Sequence, residues 1–275
     1  MTDIKIIALD LDGTLLDSDK KLSRANYDAL KAAAEAGIEI VPATGRLYRG
    51  MPAVIRELPY IRYAITINGA QVLDVQSGET ICACEISNKD ALDLCAYLSA
   101  LPVLYDCYWD GKAFAGRKLY ENADKYISDY HSLKMMKDLR RPVEDFEFFL
   151  SEGSKAPQKM QVFTKDQTLR SELMTAIAER FPQFAVTTSL PENIEINNAE
   201  VDKGKALLDL AERLGVGRQQ TMAFGDGLND ITLLKAAGTG VAMGNAHPDV
   251  KKIADRITAD CDHDGVALVI NGLLI

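Results

Sequence analysis

The stretch IKIIALDLDGT, residues 4–14, joins a short apolar run to two aspartates and a glycine. The continuous apolar run over 4–10 is typical of a strand that is buried on both faces of a parallel sheet. Ligands of such sheets bind beyond the carboxyl ends of the strands, which is where Asp10 lies. Asp12 follows two residues later, so a nearly extended chain directs both side chains the same way. Gly13 permits a turn close to a ligand.

Paired carboxylates at the end of a strand can serve a small number of chemical purposes. They can share a divalent cation, or one can attack an electrophile while the other moves a proton. The alternative interpretation is an aspartate-containing turn with no chemical role. The position of the D-x-D-G-T pattern directly after a buried strand favours the chemical interpretation.

Strand and helix patterns alternate at both ends of the chain. The N-terminal part predicts strands and helices, in chain order, over 4–10, 24–36, 38–44, 47–58 and 63–69. After Lys203 the predicted helices and strands alternate over 204–214, 221–227, 229–237, 240–244 and 248–254. This alternation predicts the α/β class, with a Rossmann-like, doubly wound parallel sheet.

The middle of the chain has a different pattern. Ser77-Gly78 and Asp110-Gly111 each separate two strand-like segments, which is typical of hairpins. Further helices and strands are predicted over 88–100, 159–164, 167–181, 184–189 and 193–197, whereas 117–155 is ambiguous. We therefore expect one α/β domain made of residues 1–84 and 190–275, with an α+β domain of residues 85–189 inserted into it.

A second acidic motif, GDGLND at 225–230, also follows a buried strand and precedes a helix. Asp226 lies at the end of that strand, and Asn229 and Asp230 fall in the first helical turn. Both can serve as helix caps, which is the alternative to a role in binding. Three acids on two neighbouring strand ends, counted with Asp10, indicate a site for a hard cation, and oxygen ligands of this kind suit Mg²⁺.

Two further motifs supply groups that can bind a phosphoryl oxygen. The hydroxyl of Thr44 and the amide of Gly45 lie at a predicted helix entrance, where backbone donors favour anions. Lys203 begins a helix, and its ammonium can pair with a phosphoryl oxygen or with a carboxylate. Each motif alone is weak, because TGR usually marks a helix cap and a single lysine is usually solvated. Lys205 can play the same part as Lys203.

These four motifs, in this order, resemble those of the haloacid dehalogenase superfamily of phosphohydrolases. Asp10 and Asp12 match the first motif, Thr44 the second and Lys203 the third, and Asp226 and Asp230 match the fourth. The inserted domain resembles a C2-type cap. The runs ATGR, ITINGA (65–70), GDGLND and GVAMGNA (240–246) are similar to those of the Cof-type subfamily, whose members are typically Mg²⁺-dependent phosphatases of small phosphomonoesters.

The resemblance implies a mechanism through an aspartyl-phosphate on Asp10. Asp12 then protonates the leaving oxygen and later deprotonates water, a division of labour that suits phosphoryl transfer. The implied Mg²⁺ site is formed by Asp10, the backbone carbonyl of Asp12 and Asp226, with Asp230 close to the ion or bound to it through water. Thr44 and Lys203 are expected to neutralise phosphoryl charge. The resemblance also implies that Gly45, Arg46 and Asn229 contact the substrate phosphate. It places Asn68 and Gly69 by the substrate pocket, with a turn at the strand end as the alternative.

The composition and net charge of the chain limit the classes of partner that it is expected to bind. Charged residues make up 26% of the 275 residues and the formal net charge is −9, so we expect no broad binding to nucleic acid or to an anionic membrane. No apolar run is long enough for a membrane span. The five cysteines and the absence of a secretion signal predict a cytoplasmic protein with reduced thiols. The expected partner is a small phosphorylated metabolite, and the oligomeric state stays open.

Two other functions remain compatible with these motifs. A phosphotransferase, such as a phosphomutase, forms the same aspartyl-phosphate and differs only in whether a sugar hydroxyl or water attacks it. A receiver-type module also phosphorylates an acid at a strand end with Mg²⁺, but such modules are shorter and have no large insert.

Overall fold

The computed structural model describes residues 3–153 and 156–274, and the chain forms two compact units. The first unit combines the two ends of the chain, up to Ala83 and from Asp202 onwards. The second unit runs from Cys84 to Val201. The first unit is therefore built from two separate segments of the chain, and the second unit is one continuous segment inserted between them in the sequence.

The N-terminal part of the first unit contains five strands and two helices. Its elements are β1 (Ile6–Leu9), α1 (Arg24–Glu35), β2 (Glu39–Pro42), α2 (Ala53–Arg56), β3 (Tyr63–Thr66), β4 (Gln71–Asp74) and β5 (Thr80–Ala83). The helix expected over 47–58 is broken into a 3₁₀ turn at Tyr48–Gly50 and the short α2. Pro52 explains the break, because it lacks an N–H donor and precedes the first residue of α2.

The described residues of the second unit form six strands and five helices. Its elements are α3 (Asn88–Leu98), β6 (Leu104–Trp109), β7 (Lys112–Gly116), α4 (Arg117–Glu121), α5 (Tyr130–Leu139), β8 (Arg140–Val143), α6 (Phe146–Glu152), β9 (Lys159–Phe163), α7 (Gln167–Arg180), β10 (Phe184–Thr187) and β11 (Asn193–Asn198). The ambiguous segment 117–155 thus supplies three of the helices and one edge strand; its residues 154 and 155 lie outside the described part.

The C-terminal part returns to the first unit with three strands and four helices. Its elements are α8 (Lys203–Arg213), β12 (Thr221–Gly225), α9 (Ile231–Ala236), β13 (Thr239–Ala242), α10 (Pro248–Ile253), β14 (Arg256–Ile257) and α11 (Gly265–Leu274). Helix α8 packs against α9, and α1 packs against α11. These helices and the alternating strands confirm the predicted α/β class.

Five parallel strands form the main sheet of the first unit, in the order β14-β13-β12-β1-β2. All four residues of β1 are fully buried, as its apolar sequence predicts. Leu9 pairs with Phe224 of β12 and with Pro42 of β2. The register therefore brings the ends of three strands to one edge of the sheet, and the residues that follow each strand are neighbours there.

The third predicted strand does not join this parallel sheet as a full member. Strand β3 pairs antiparallel with β4, which in turn pairs with β5, so the hairpin around Ser77-Gly78 extends into a separate three-stranded sheet. A single parallel bridge between Ala43 and Ile65 connects it to the end of β2. One edge of β3 pairs with β4, and at its other edge the carbonyl of Ile65 accepts from the amide of Thr44, a choice of partners that local sequence patterns do not reveal.

The second unit is built on one six-stranded sheet, in the order β10-β11-β9-β6-β7-β8. Its pairs are antiparallel except β7 with β8. The expected end of the insert at residue 189 is wrong, because β11 follows that residue and lies between β9 and β10 in the sheet of the second unit. The insert therefore continues to Val201.

Two expectations about thiols and membranes can be compared with the structure. All five cysteines are free. Among the described residues, no helix combines the length and the apolar character that crossing a bilayer requires.

We predict that Gly204 is required for the packing of α8 on α9. A Cβ at this position would lie 2.3 Å from the carbonyl oxygen of Thr232 and 2.8 Å from the Cβ of Ala236. Gly204→Ala should lower the free energy of unfolding by about 1–3 kcal/mol, because backbone must move to admit the methyl group. Thermal and urea unfolding would measure the loss.

Gly272→Ala is the matched control, since this glycine is also helical and a Cβ there would meet nothing within 4 Å. It should raise stability by roughly 0.5–1 kcal/mol, the ordinary gain of alanine in a helix. Equal effects of the two substitutions would contradict the packing argument.

Candidate active site

The ammonium of Lys203 is buried between two carboxylates. Asp10 directly follows β1, and Lys203 is the first residue of α8. The N-cap of α8, Asp202, accepts hydrogen bonds from the backbone amides of Gly204 and Lys205. Nζ of Lys203 donates to Oδ1 of Asp10 and to Oδ1 of Asp230, each at 2.7 Å. Lys203 and Asp230 are each only 1% exposed, so the ion pairs are shielded from water.

Asp226 brings a third carboxylate to this position from the end of β12. Asp230 fixes the turn that joins it to Asp226, because its Oδ2 accepts from the backbone amides of Asp226 and Gly227 at 3.1 and 2.9 Å. Its Oδ1 is left to face Lys203. Asp10, Asp226 and Asp230 each offer one oxygen, and these atoms lie within 4.8 Å of one another. The sequence expectation that these three acids meet thus agrees with the geometry.

Burial dominates the electrostatics of this group. It raises the pKa of Asp10 to about 7; Lys203 opposes the rise, and Asp230 and Asp226 add to it. Burial, with the charge of Asp230, also raises the pKa of Asp226, against the hydrogen bond from Thr14. For Lys203, burial opposes the charged form, but Asp10 and Asp230 outweigh it and raise the pKa above its ordinary value. These buried carboxylates therefore need a neighbouring positive charge to be stable in their ionised form.

The side chain of Asp12 belongs to a different ion pair. Arg46 donates from Nε to Oδ2 and from Nη2 to Oδ1 of Asp12, both at 2.8 Å. Nζ of Lys20 lies 3.1 Å from Oδ1. Burial alone would raise the pKa of Asp12, but the hydrogen bonds and charges of Arg46 and Lys20 hold it below its ordinary value. The two aspartates of the first motif thus have opposite surroundings.

Thr44 and Gly45 form the start of the loop after β2. The amide of Thr44 donates to Ile65 at 2.9 Å, and its Oγ1 accepts from the amide of Arg46 at 3.2 Å. Because a hydroxyl carries one proton, that of Thr44 remains able to donate to a ligand. Gly45 lies against the side chain of Asn68, and a Cβ on it would be 2.9 Å from Oδ1 of Asn68.

Three consecutive residues with positive φ place Asn68 beside this loop. Ile67, Asn68 and Gly69 have φ values of 54°, 58° and 99°, and for a β-branched isoleucine this conformation is strained. Oδ1 of Asn68 accepts from Nδ2 of Asn229 at 3.2 Å. Gly69 instead packs against the start of α8, where an added Cβ would lie 2.4 Å from the carbonyl of Asp202. In this structure the neighbour of Gly69 is therefore the backbone of Asp202 and Lys203.

The sequence profile of the haloacid dehalogenase-like hydrolases matches residues 7–270. The chain belongs to this family. It is 30% identical to the phosphatase YwpJ of Bacillus subtilis, over 98% of this chain and 100% of that protein. It is also 30% identical to the 5-amino-6-(5-phospho-D-ribitylamino)uracil phosphatase YcsE of the same organism, over 98% and 95%.

Solved structures of the family agree with this fold. A haloacid dehalogenase-like hydrolase from Bacteroides thetaiotaomicron superposes with a TM-score of 0.82 at 29% identity, covering 98% of this chain and 99% of that one. The resemblance found in the four motifs is therefore confirmed. This member of the haloacid dehalogenase-like hydrolases is a phosphoric monoester hydrolase.

Three side chains of this hydrolase site were not singled out from the sequence. Thr14 donates to Oδ1 of Asp226 at 2.9 Å, and Lys20 pairs with the acid of the first motif. Asn245 donates to the carbonyl of Gly13 at 2.8 Å and lies 3.4 Å from Oδ2 of Asp226. Gly13 has φ +89°, and a Cβ on it would be 2.6 Å from that Oδ2. Thr14 and Asn245 stand inside recognised motifs, whereas Lys20 has no sequence signal.

We predict that removing the buried ammonium destabilises the protein in a pH-dependent manner. Lys203→Met should cost about 3–5 kcal/mol of unfolding free energy in metal-free buffer, because carboxylates stay buried without a partner. These carboxyls have raised pKa values when folded, so the folded state binds more protons and stability falls as pH rises. The deficit should be larger at pH 8 than at pH 5.

Lys205→Met tests the same helix without the buried pair. Lys205 is exposed and pairs with Asp209 at 2.7 Å, four residues away on α8. Its loss should change stability by less than roughly 1 kcal/mol at either pH. A pH-independent deficit in Lys203→Met would contradict the electrostatic explanation.

Proposed function

We propose that the protein hydrolyses small phosphomonoesters with the help of Mg²⁺, through a phosphoryl group carried on Asp10. One observation supports this most directly. The carboxylate of Asp10 lies at the end of β1 with two further carboxylates and one buried ammonium around it. This combination suits a nucleophile whose charge is balanced by a metal ion and a lysine.

The donor set fits a divalent cation. Three carboxylates and one ammonium leave a formal charge of −2, and all three ligating groups are hard oxygen donors. Asp10, Asp226 and Asp230 would hold Mg²⁺, together with the backbone carbonyl of Asp12. When bound, the ion would offset the charge of these carboxylates and of the phosphoryl oxygens.

In the first step, Asp10 attacks phosphorus and the bond from phosphorus to the ester oxygen breaks. Lys203 already holds Oδ1 of Asp10, so we assign the attack to Oδ2. Asp12 must first take up a proton, against the low pKa that Arg46 and Lys20 give it in the ligand-free site, and it then donates that proton to the departing oxygen, which leaves as an alcohol. Lys203 and the hydroxyl of Thr44 stabilise the negative charge on the transferred group.

In the second step, a water molecule attacks the phosphorus of phosphorylated Asp10. Asp12, now a carboxylate, takes a proton from that water as the bond from phosphorus to Asp10 breaks. Inorganic phosphate is released and Asp10 is regenerated as a carboxylate. The same aspartate thus acts as acid and then as base, and no other proton carrier is needed.

The substrate class is proposed from the chemistry and from relatives. The name of YcsE describes a phosphatase of a small ribityl-containing phosphomonoester. We therefore propose a small phosphorylated metabolite as substrate. Sugar phosphates, nucleotides, flavin mononucleotide and pyridoxal phosphate form the first panel to assay.

Replacement of the nucleophile gives the first functional prediction. Wild type should release p-nitrophenol from p-nitrophenyl phosphate, and Asp10→Asn should lose at least about a thousandfold in kcat/KM, because an amide is a far weaker nucleophile. Reductive trapping followed by peptide mass analysis should locate the phosphoryl group on Asp10. Turnover that survives Asp10→Asn would refute the proposed mechanism.

The same assay separates hydrolysis from phosphoryl transfer. A phosphatase releases inorganic phosphate in equal amount to p-nitrophenol, with one oxygen from labelled water. A phosphomutase would release less phosphate and phosphorylate an added sugar. The phosphatase outcome is expected.

Metal binding can be measured without turnover. Mg²⁺ should raise the melting temperature of wild type, since a ligand that binds only the folded state stabilises it. Asp226→Asn should abolish this shift, because it removes one of the three carboxylates. Asp19→Asn, a highly exposed aspartate, is the control and should retain the full shift. An unchanged shift in Asp226→Asn would place the ion elsewhere.

A further inference from the structure

The side-chain amide of Asn245 connects three loops of the first unit. Its Nδ2 donates to the carbonyl of Gly13 at 2.8 Å and lies 3.4 Å from Oδ2 of Asp226. Its Oδ1 accepts from the backbone amide of Cys261 at 3.0 Å. These three partners follow β1, β12 and β14. The side chain is exposed and could bond to water instead, so its three protein contacts indicate a specific connection between the loops.

The backbone on either side of Asn245 is fixed to the end of β12. The amide of Met243 donates to the carbonyl of Gly225, the last residue of that strand, at 3.1 Å. The amide of His247 donates to the carbonyl of Asp226 at 2.9 Å. Asn245 lies midway between these two hydrogen bonds. Its side chain therefore extends from a segment whose position is tied to the turn that carries Asp226.

Gly13 is the residue whose conformation this connection restrains. A Cβ on it would lie 2.6 Å from Oδ2 of Asp226, so the close approach of the two loops requires glycine. Glycine leaves the backbone unusually free to rotate. The peptide group that contains the Asp12 carbonyl ends at Gly13, and the bond from Asn245 to the next carbonyl limits its rotation. Asp226 is held from the same loop, because its Oδ1 accepts from the hydroxyl of Thr14 at 2.9 Å.

We propose that Asn245 is a positioning residue for the divalent cation. Its amide sets the spacing between the loop that carries the Asp12 carbonyl and the carboxylate of Asp226, which are two of the proposed ligands. The inference rests on the proposed function above, in which Mg²⁺ binds at these groups. It gives a role to the run GVAMGNA (240–246), which the proposed mechanism does not use. Residues that orient the ligands of a metal ion influence its affinity without touching it.

The size of the ion distinguishes positioning from a general structural role. Mg²⁺ requires nearly octahedral ligands at about 2.0–2.1 Å, whereas Ca²⁺ accepts irregular sets of ligands at about 2.3–2.6 Å. A looser spacing of the ligands should therefore weaken the binding of Mg²⁺ much more than that of Ca²⁺. Damage to the fold, or a change in the net charge of the site, should instead shift the affinities of both divalent ions in the same direction and by similar factors.

The experiment follows the melting temperatures of metal-free wild type, Asn245→Ala and Asn245→Asp over a Mg²⁺ series and a Ca²⁺ series, which give a dissociation constant for each ion. Both variants should lower the preference for Mg²⁺ over Ca²⁺ by about tenfold. In Asn245→Ala the loss should lie in Mg²⁺, with the constant for Ca²⁺ within about threefold of wild type.

Asn245→Asp is the sharper variant, and it also serves if the alanine variant does not fold. It keeps the shape of the side chain and the acceptor for the amide of Cys261, but it loses the donor to Gly13. The added negative charge would by itself strengthen the binding of both ions. A reduced preference for Mg²⁺ in this variant therefore reports the lost donor and not the charge.

His247→Asp is the matched charge control. It adds the same charge two residues away, keeps a side-chain acceptor at the N-cap of α10 and leaves the amide of Asn245 in place, so the preference for Mg²⁺ should not change. An unchanged preference in a folded Asn245 variant, or an equal loss in His247→Asp, would overturn the role of Asn245. The proposed function would then stand if wild type still shows the Mg²⁺-dependent shift that Asp226→Asn abolishes. With no shift in wild type, the proposed Mg²⁺ site would fall together with the inference.

Discussion

The ammonium of Lys203 holds together groups that would otherwise repel one another. Asp10, Lys203 and Asp230 come from two distant parts of the chain, and all three side chains are buried. A buried carboxylate pair is costly unless a cation and hydrogen bonds compensate it. The salt bridges satisfy that requirement only when β1, α8 and the turn after β12 are all in place. The salt bridges of Lys203 with Asp10 and Asp230 therefore form only when the first unit is folded.

The parallel sheet brings the carboxylates after β1 and β12 together independently of the insert. Strand β12 pairs directly with β1, and Leu9 lies opposite Phe224 although the second unit separates them in sequence. The residues after each strand are neighbours because parallel strands end at the same edge. The insert leaves the first unit after β5 and the chain returns before α8, so the insert does not interrupt the pairing of β1 with β12.

Local patterns in the sequence predicted the strand ends well, and therefore most of the site. Buried runs before Asp10 and Asp226 locate those acids, and the helix that begins at Lys203 gives the third group. The grip of Arg46 on Asp12 could not be predicted, because it joins residues 34 positions apart through side-chain direction alone. The pairing of β3 with β4, and of β11 with β9, also depends on long-range choices of partner. Strand patterns predict that a segment is extended but not which edge it joins.

Asp10 and Asp12 are close in sequence but have opposite electrostatic surroundings. Burial raises the pKa of Asp10, the charges of Asp230 and Asp226 add to the rise, and the formal charge of −2 on this group suits a divalent cation. Asp12 belongs to a group with formal charge +1, formed with Arg46 and Lys20. The difference follows from the elements that face each carboxylate, because Lys203 at the start of α8 pairs with Asp10 whereas Arg46 in the loop after β2 pairs with Asp12.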